Sequence, residues 1–294
     1  MSQRDPVVLD HVGLFTGDMA RAGGLLERLG FVLTPLTAQR NQTPEGARPA
    51  GAANRCAMLE RGYVETLTAV LDTPLARRLE AAVARYEGLH LLAFSCPDAE
   101  AAAARLAAQG FAPDPPVALR RPVEGEAGET AEAAFTVIRT PPEKMPEGRV
   151  QFLSHHTPEL VWRRRWMRHG NGVEGLEAAL VVSADPDEAA ERYSRFTGGR
   201  LGATPGGARE VALDRGALFF VASADADRVL PSEAARPEPW IAAMTLGSGD
   251  PARTGARFRA EGLAEPRPGL FALPAPMRGY VEIVASGAPS GFGD

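Results

Sequence analysis

The chain has 294 residues, 45% of them hydrophobic, and a formal net charge of −5, enough apolar material for one large or two ordinary packed domains. The acidic balance argues against a nucleic-acid partner, no apolar run approaches the roughly 18 residues of a membrane span, and the opening MSQRDPVVLDH lacks a signal layout. Only two cysteines occur, Cys56 and Cys96, without CxxC spacing, so neither a disulfide framework nor a cysteine zinc site is supported and a cytoplasmic location is expected.

Taken in order, LDHVGLFTGDMARAGGLLERLGF (9–31) reads as a strand, a helix cap at Asp18 and a helix that stops at Gly30. Aspartate suits the cap because its carboxylate accepts unpaired backbone N–H groups, and glycine suits the left-handed residue past the helix end. FVLTPLTA, ANRCAMLERG and YVETLTAV follow as strands separated by turn residues. The order then recurs. LHLLAFSCPDAEAAAARLAAQGF (89–111) has Asp98 and Gly110 at the same separation, followed by PVALRRPVE, AEAAFTVIRT and RVQFLSHH. LEAALVVSADPDEAAERYSRFTGG (176–199) and IAAMTLGSGDPARTGARFRAEGL (241–263) repeat it with proline at the first helical position, where its missing N–H is harmless. Their strands are LGATP, REVALD and ALFFVAS, then LAEPRPG, LFALP and YVEIVAS.

Each unit is therefore βαβββ, and the internal repeat points to an α+β architecture. The units fall at about 7–70, 87–155, 175–224 and 239–286. Residues 1–155 and 175–294 are thus expected to hold one pair of units each, with a connector at 156–174.

The first strands LDHVGLF and LHLLAFS carry a resemblance, as do GYVE and GRVQ at the fourth strands, AGAANRCAML and FLSHHTPELVW. With these the chain resembles the vicinal oxygen chelate superfamily, whose fold glyoxalases, bleomycin-resistance proteins and extradiol dioxygenases share, and within it the glyoxalase-like domain proteins. The likeness spans nearly the whole chain for the fold and about residues 7–165 for the finer grouping. It implies four βαβββ repeats paired into two half-open, eight-stranded barrel-like modules. Each cavity in such proteins often holds one divalent metal, gripped from the first and fourth strands of both units.

At those family positions unit one offers His11 and Glu65, and unit two offers His90 and Gln151. Unit three has Glu177 and Phe219 and unit four Ala242 and Glu282, so a degenerate second half is expected. Alternation places His11 with Leu9, Gly13 and Phe15, and Glu65 with Tyr63 and Leu67. A carboxylate among apolar neighbours needs a cation or donors. The metal set is thus His11, Glu65, His90 and Gln151, suited to zinc, nickel, manganese or iron. The plainer reading makes both histidines hydrogen-bonded core residues.

Asn54 and Arg55 on the third strand of unit one are expected to bind substrate, the guanidinium by forking onto a carboxylate. Glu65 and His155 are the candidate bases, and His156 would face away. The connector carries Arg163, Arg164, Arg165 and Arg168 beside Trp162 and Trp166, and reads as an amphipathic segment packing its tryptophans between the halves. Lys144 is the only lysine, an Arg-heavy usage that suggests a GC-rich bacterial genome. The expected function is a glyoxalase-like, metal-dependent lyase or isomerase acting on a small carbonyl or hydroxyacid substrate through an enediolate-like intermediate. Alternatives are an Fe(II) extradiol-type dioxygenase and a metal-free protein that sequesters a small molecule. A homodimer is compatible with all three.

Overall fold

The computed structural model describes residues 6–43, 46–124, 130–230 and 238–294. The first half contains β1 (Val8–Phe15), α1 (Met19–Arg28), β2 (Thr37–Thr43), β3 (Gly46–Met58), β4 (Tyr63–Ala69), α2 (Pro74–Arg85), β5 (Glu87–Ser95), α3 (Ala99–Ala108), β6 (Val117–Glu124), β7 (Thr130–Arg139) and β8 (Arg149–His155). Two short helices, α4 (Pro158–Val161) and α5 (Arg164–Met167), lie in the connector. The second half contains β9 (Val173–Ser183), α6 (Pro186–Thr197), β10 (Arg200–Ala203), β11 (Arg209–Ala212), β12 (Ala217–Ala222), α7 (Ala226–Val229), β13 (Trp240–Ser248), α8 (Pro251–Ala260), β14 (Leu270–Ala272), β15 (Met277–Arg278) and β16 (Tyr280–Ala285).

Local chemistry sets the helix ends. Asp18, Asp98, Asp185 and Asp250 each accept the backbone N–H three residues on, at 2.9 to 3.0 Å. The Gly30, Gly110, Gly198 and Gly262 that follow adopt φ of 94°, 79°, 73° and 82°, the left-handed turn that glycine tolerates best.

The first sheet runs β1-β4-β3-β2-β6-β7-β8-β5, and a β1–β5 pairing joins its two ends. Eight strands therefore close into a barrel. The seam expected to be open, between β2 and β6, is bridged by Asn41 opposite Leu119. The second sheet has seven strands among the described residues, in the order β10-β11-β12-β9-β13-β16-β14. The remaining short strand of unit four, β15, instead extends the first sheet beside β5, with Met277 opposite Glu87. One apolar cluster runs through both halves, joining Leu26, Phe94, Phe196, Phe258 and Phe271, and a buried Arg192–Glu147 ion pair at 2.6 Å also links them.

A backbone irregularity marks the same place in all four units. The β1–β5 pairing skips Asp10, between Leu9↔Phe94 and His11↔Ala93, and skips His90, between Gly13↔Leu91 and Leu14↔Leu89. The β9–β13 pairing skips Ala242 and Glu177 in the same manner. Opposite each bulge stands the glycine before or at the start of the fourth strand. A Cβ on Gly62, Gly148 or Gly279 would lie 2.7, 2.7 and 3.0 Å from the carbonyl oxygens of Asp10, His90 and Ala242, and one on Gly216 would lie 3.3 Å from that of Glu177. Glycine is needed there because two backbones approach where no side chain fits.

Candidate functional site

The barrel holds a cavity lined by His11, Asn54, Tyr63, Glu65 and Gln151 together with arginines from several strands. His11 and Glu65 are buried, 2% and 6% exposed. His11 reaches the cavity from β1, stacked on Tyr63 with ring centroids 4.3 Å apart. Its Nδ1–H donates to Asp10 Oδ1 at 2.7 Å. That bond fixes the tautomer and leaves the Nε2 lone pair facing Glu65 Oε2 across 3.6 Å. Glu65 Oε1 accepts from Asn54 Nδ2 at 2.5 Å and from Gln39 Nε2 at 3.3 Å. Amide oxygens of Asn54 and Gln151 are buried without a partner, so the cavity wall holds unspent acceptors.

Asp10, which alternation alone would turn outward, is the residue sequence reasoning missed. It is 1% exposed because the bulge redirects it, and His155 Nε2–H donates to its other oxygen at 2.9 Å. Burial alone would raise its pKa, yet the charge of His155 and the hydrogen bonds from both imidazoles outweigh burial and hold the carboxyl far below its usual range. Burial and the charge of Glu65 push the Cys56 thiol in the same cavity to about 12, which leaves it inert.

Four expected placements are corrected. His90 does not join His11. It donates to the carbonyl of Tyr86 at 2.8 Å, stacks on the Tyr86 and Phe15 rings and lines a different pocket. The reason is register: His90 occupies the bulge position equivalent to Asp10, whereas the residue level with His11 is Leu91, and a one-residue slip exchanges faces. Arg55 does not line the cavity either, since it alternates with Asn54. Its guanidinium bonds to the Thr34 carbonyl at 3.1 Å and to Glu27 at 2.7 Å. His155 is not among the residues that line the cavity; it packs on Trp162 and Phe135 at 4.7 and 5.2 Å and bonds to Asp10. The connector tryptophans pack against Tyr63, Met58 and Val161 at one end of the barrel, not between the halves, and Arg163 is buried with them.

Among the described residues no group of three His, Cys, Asp or Glu side chains converges on a point that could hold a metal. The cavity supplies His11, Glu65 and the neutral oxygen of Gln151, and Leu91 takes the place of the fourth donor. Arg121, Arg139 and Arg149 line the same space, so a dication would meet guanidiniums already facing Glu65. The residues present do not make the expected four-donor centre, although the donor types left are ones that divalent ions accept.

In the second half the equivalent space is filled by described side chains. Glu282 Oε2 accepts from Thr245 Oγ1 at 2.8 Å, Ser290 Oγ at 2.6 Å and the Gly291 N–H at 3.2 Å, and its Oε1 meets Arg267 at 3.2 Å. Phe219, Trp240, Tyr280 and Phe292 fill the surrounding space.

Paired βαβββ units closed round a polar cavity define the class of vicinal oxygen chelate metalloenzymes and binding proteins. The chain belongs to the glyoxalase-like domain family, whose profile matches residues 9–197. Its structure is similar to that of a hypothetical protein from Staphylococcus aureus, with a TM-score of 0.64 and 9% identity over 95% of this chain and 99% of that one. It is also similar to a mutant of 4-hydroxymandelate synthase from Streptomyces coelicolor (TM-score 0.55, 15% identity, 99% and 95% covered). A xylose isomerase-like TIM barrel/4-hydroxyphenylpyruvate dioxygenase fusion protein matches with a TM-score of 0.52 and 15% identity over 91% of this chain and 40% of that one. At these identities the likeness is one of fold. No curated protein sequence is significantly similar to the chain, and no described helix is long and apolar enough to cross a membrane.

Proposed function

We propose that the N-terminal barrel binds a small organic acid with a carbonyl or hydroxyl beside an ionisable C–H, and moves that proton in a lyase- or isomerase-type reaction. One observation carries the reading: His11 Nε2 and Glu65 Oε2, two acceptors, face each other across 3.6 Å in a cavity lined by arginines. Two acceptors side by side on the cavity wall call for a ligand that brings a hydrogen to them. Asp10 holds the His11 tautomer, so Nε2 is the general base, and His155 is a positioning residue behind Asp10. The C–H bond breaks toward His11, its electron pair enters an enediolate, and Arg121 and Arg149 face the charge that develops on oxygen. The hydroxyl proton of the enediolate passes to its other oxygen, and the imidazolium returns the abstracted proton to the neighbouring carbon. Glu65, with Asn54 and Gln39 on its far oxygen, stabilises the imidazolium between the two transfers.

A resident zinc, nickel, manganese or iron ion would find His11, Glu65 and Gln151 as donors, but the reading does not depend on one. The dioxygenase alternative needs two imidazoles and a carboxylate on one ion, which the position of His90 disfavours. The test is deuterium exchange at the α-carbon of 2-keto acids and hydroxyaldehydes in D₂O, followed by NMR on protein dialysed against a chelator. Exchange that falls on the order of 10²-fold or more in His11→Gln supports the reading. Binding without exchange, with or without each metal restored, would sink it in favour of sequestration, and oxygen uptake with catechols and Fe(II) would favour the dioxygenase.

A further inference from the structure

A second pocket, of about 330 Å³, opens at the end of the barrel beneath α2. Arg78 and Arg85 stand two helical turns apart on one face of α2 and reach it from above. Arg139 at the end of β7 and Arg149 at the start of β8 form its floor, half-buried, and also line the barrel cavity. No acidic side chain lines this pocket, and none of the four arginines has a carboxylate within ion-pair distance among the described residues; Arg85 alone donates, to the Pro239 carbonyl at 3.1 Å. Four cations so placed repel one another. Burial and the neighbouring Arg139 charge hold Arg149 down to about 10, and burial lowers Arg139 too.

A second feature points independently to a ligand. Thr140, 8% exposed, lines the pocket with a buried Oγ1 that has no hydrogen-bond partner. His90 completes the polar side, and Leu75, Leu79 and Met145 form an apolar one.

From this arrangement we infer that the pocket beneath α2 is a binding site for the phosphate group of a small phosphate ester, held by Arg78, Arg85, Arg139, Arg149 and the Thr140 hydroxyl. Glu65 and Asp114 act on Arg149 and Arg139 only from beyond ion-pair distance, so a dianion offers direct pairing, and the planar forks match phosphate oxygens. The organic remainder lies on the apolar wall. The site does not depend on proton transfer in the barrel, although Arg139 and Arg149 border both spaces.

Calorimetry at low ionic strength with inorganic phosphate, glycerol phosphate and succinate tests this on the full chain, for the wild type, Arg78→Ala and Thr140→Val. Neither substituted residue lines the barrel cavity. Phosphate or its ester should bind, at least tenfold more weakly in Arg78→Ala, while both variants keep the wild-type melting temperature without ligand. An ester that binds tenfold tighter than inorganic phosphate identifies an esterified ligand, and equal affinities identify the free ion; both support the site. Absence of binding by either phosphate, tighter binding of succinate, or phosphate binding unchanged in both variants overturns it. A variant with an altered melting temperature is replaced by Arg78→Gln, judged by the same criterion. Deuterium exchange on a non-phosphorylated keto acid stays at the wild-type rate in Arg78→Ala, so failure of this site and failure of the barrel chemistry read out separately.

Discussion

The most direct physical test of the register described above is the acid sensitivity of His90. Burial lowers its pKa from 6.5 to about 4 in the native state, with the nearby charge of Arg85 acting in the same direction. The unfolded chain therefore takes up a proton between about pH 6.5 and pH 4 that the folded chain refuses. The contribution to stability is whole above pH 6.5 and is lost as the pH falls through that window. Linkage between those two values gives a loss of about 2 kcal/mol between pH 7 and pH 5 from this one group. Urea unfolding at both pH values measures it, with His90→Gln as the comparison because glutamine can still donate to the Tyr86 carbonyl but does not titrate. Other groups, such as His169, whose pKa burial also lowers, act in both proteins and cancel in the difference. The wild type should lose about 2 kcal/mol more than the variant over this step. An equal loss in both would refute the placement of His90 as a buried imidazole bonded to the Tyr86 carbonyl.

Other substitutions test other parts of the framework. Asp10→Asn should lower α-proton exchange on the order of 10²-fold, since the amide can present the wrong hydrogen to His11 Nδ1, while His155→Gln should lower it less; steady-state rates by NMR decide the order. Gly62→Ala forces a Cβ to within 2.7 Å of the Asp10 carbonyl at a φ of 82° and should cost about 2–3 kcal/mol in urea midpoint analysis. Gly198→Ala, where a Cβ meets nothing within 4 Å, should cost only about 1 kcal/mol for its left-handed backbone. Glu147→Gln removes the buried carboxylate of Arg192, which keeps Glu188 at 2.8 Å, and should cost about 1–3 kcal/mol, seen as a lower melting temperature.

The repeat was legible because it is written in local chemistry. An aspartate cap and a left-handed glycine need only their own helix, so Asp18, Asp98, Asp185 and Asp250 could be read without knowing the fold. The place of Glu65 followed from the fourth-strand motif and alternation. Alternation fails at a bulge, however, and no residue type announces one. Seven positions before the caps stand His11 and Leu91, so His90 lies one residue off the place of His11 although the two share a residue type. Arg55 was misplaced although its neighbour Asn54 faces the cavity, and strict alternation would have sent it out. Asp10 was overlooked for the opposite reason, because strict alternation was wrong there. Arg121 and Arg149 come from strands far apart in the chain, and only the closed barrel brings them into one cavity.

The four bulges separate geometry from chemistry. The same kink and its facing glycine occur four times, while the residue displayed there is a carboxylate, an imidazole, a second carboxylate and a methyl group. One backbone device thus serves four different side chains. For protein engineering the consequence is specific: completing a four-donor metal centre in the first barrel calls for Leu91→His, one position beyond the histidine that nature already supplies.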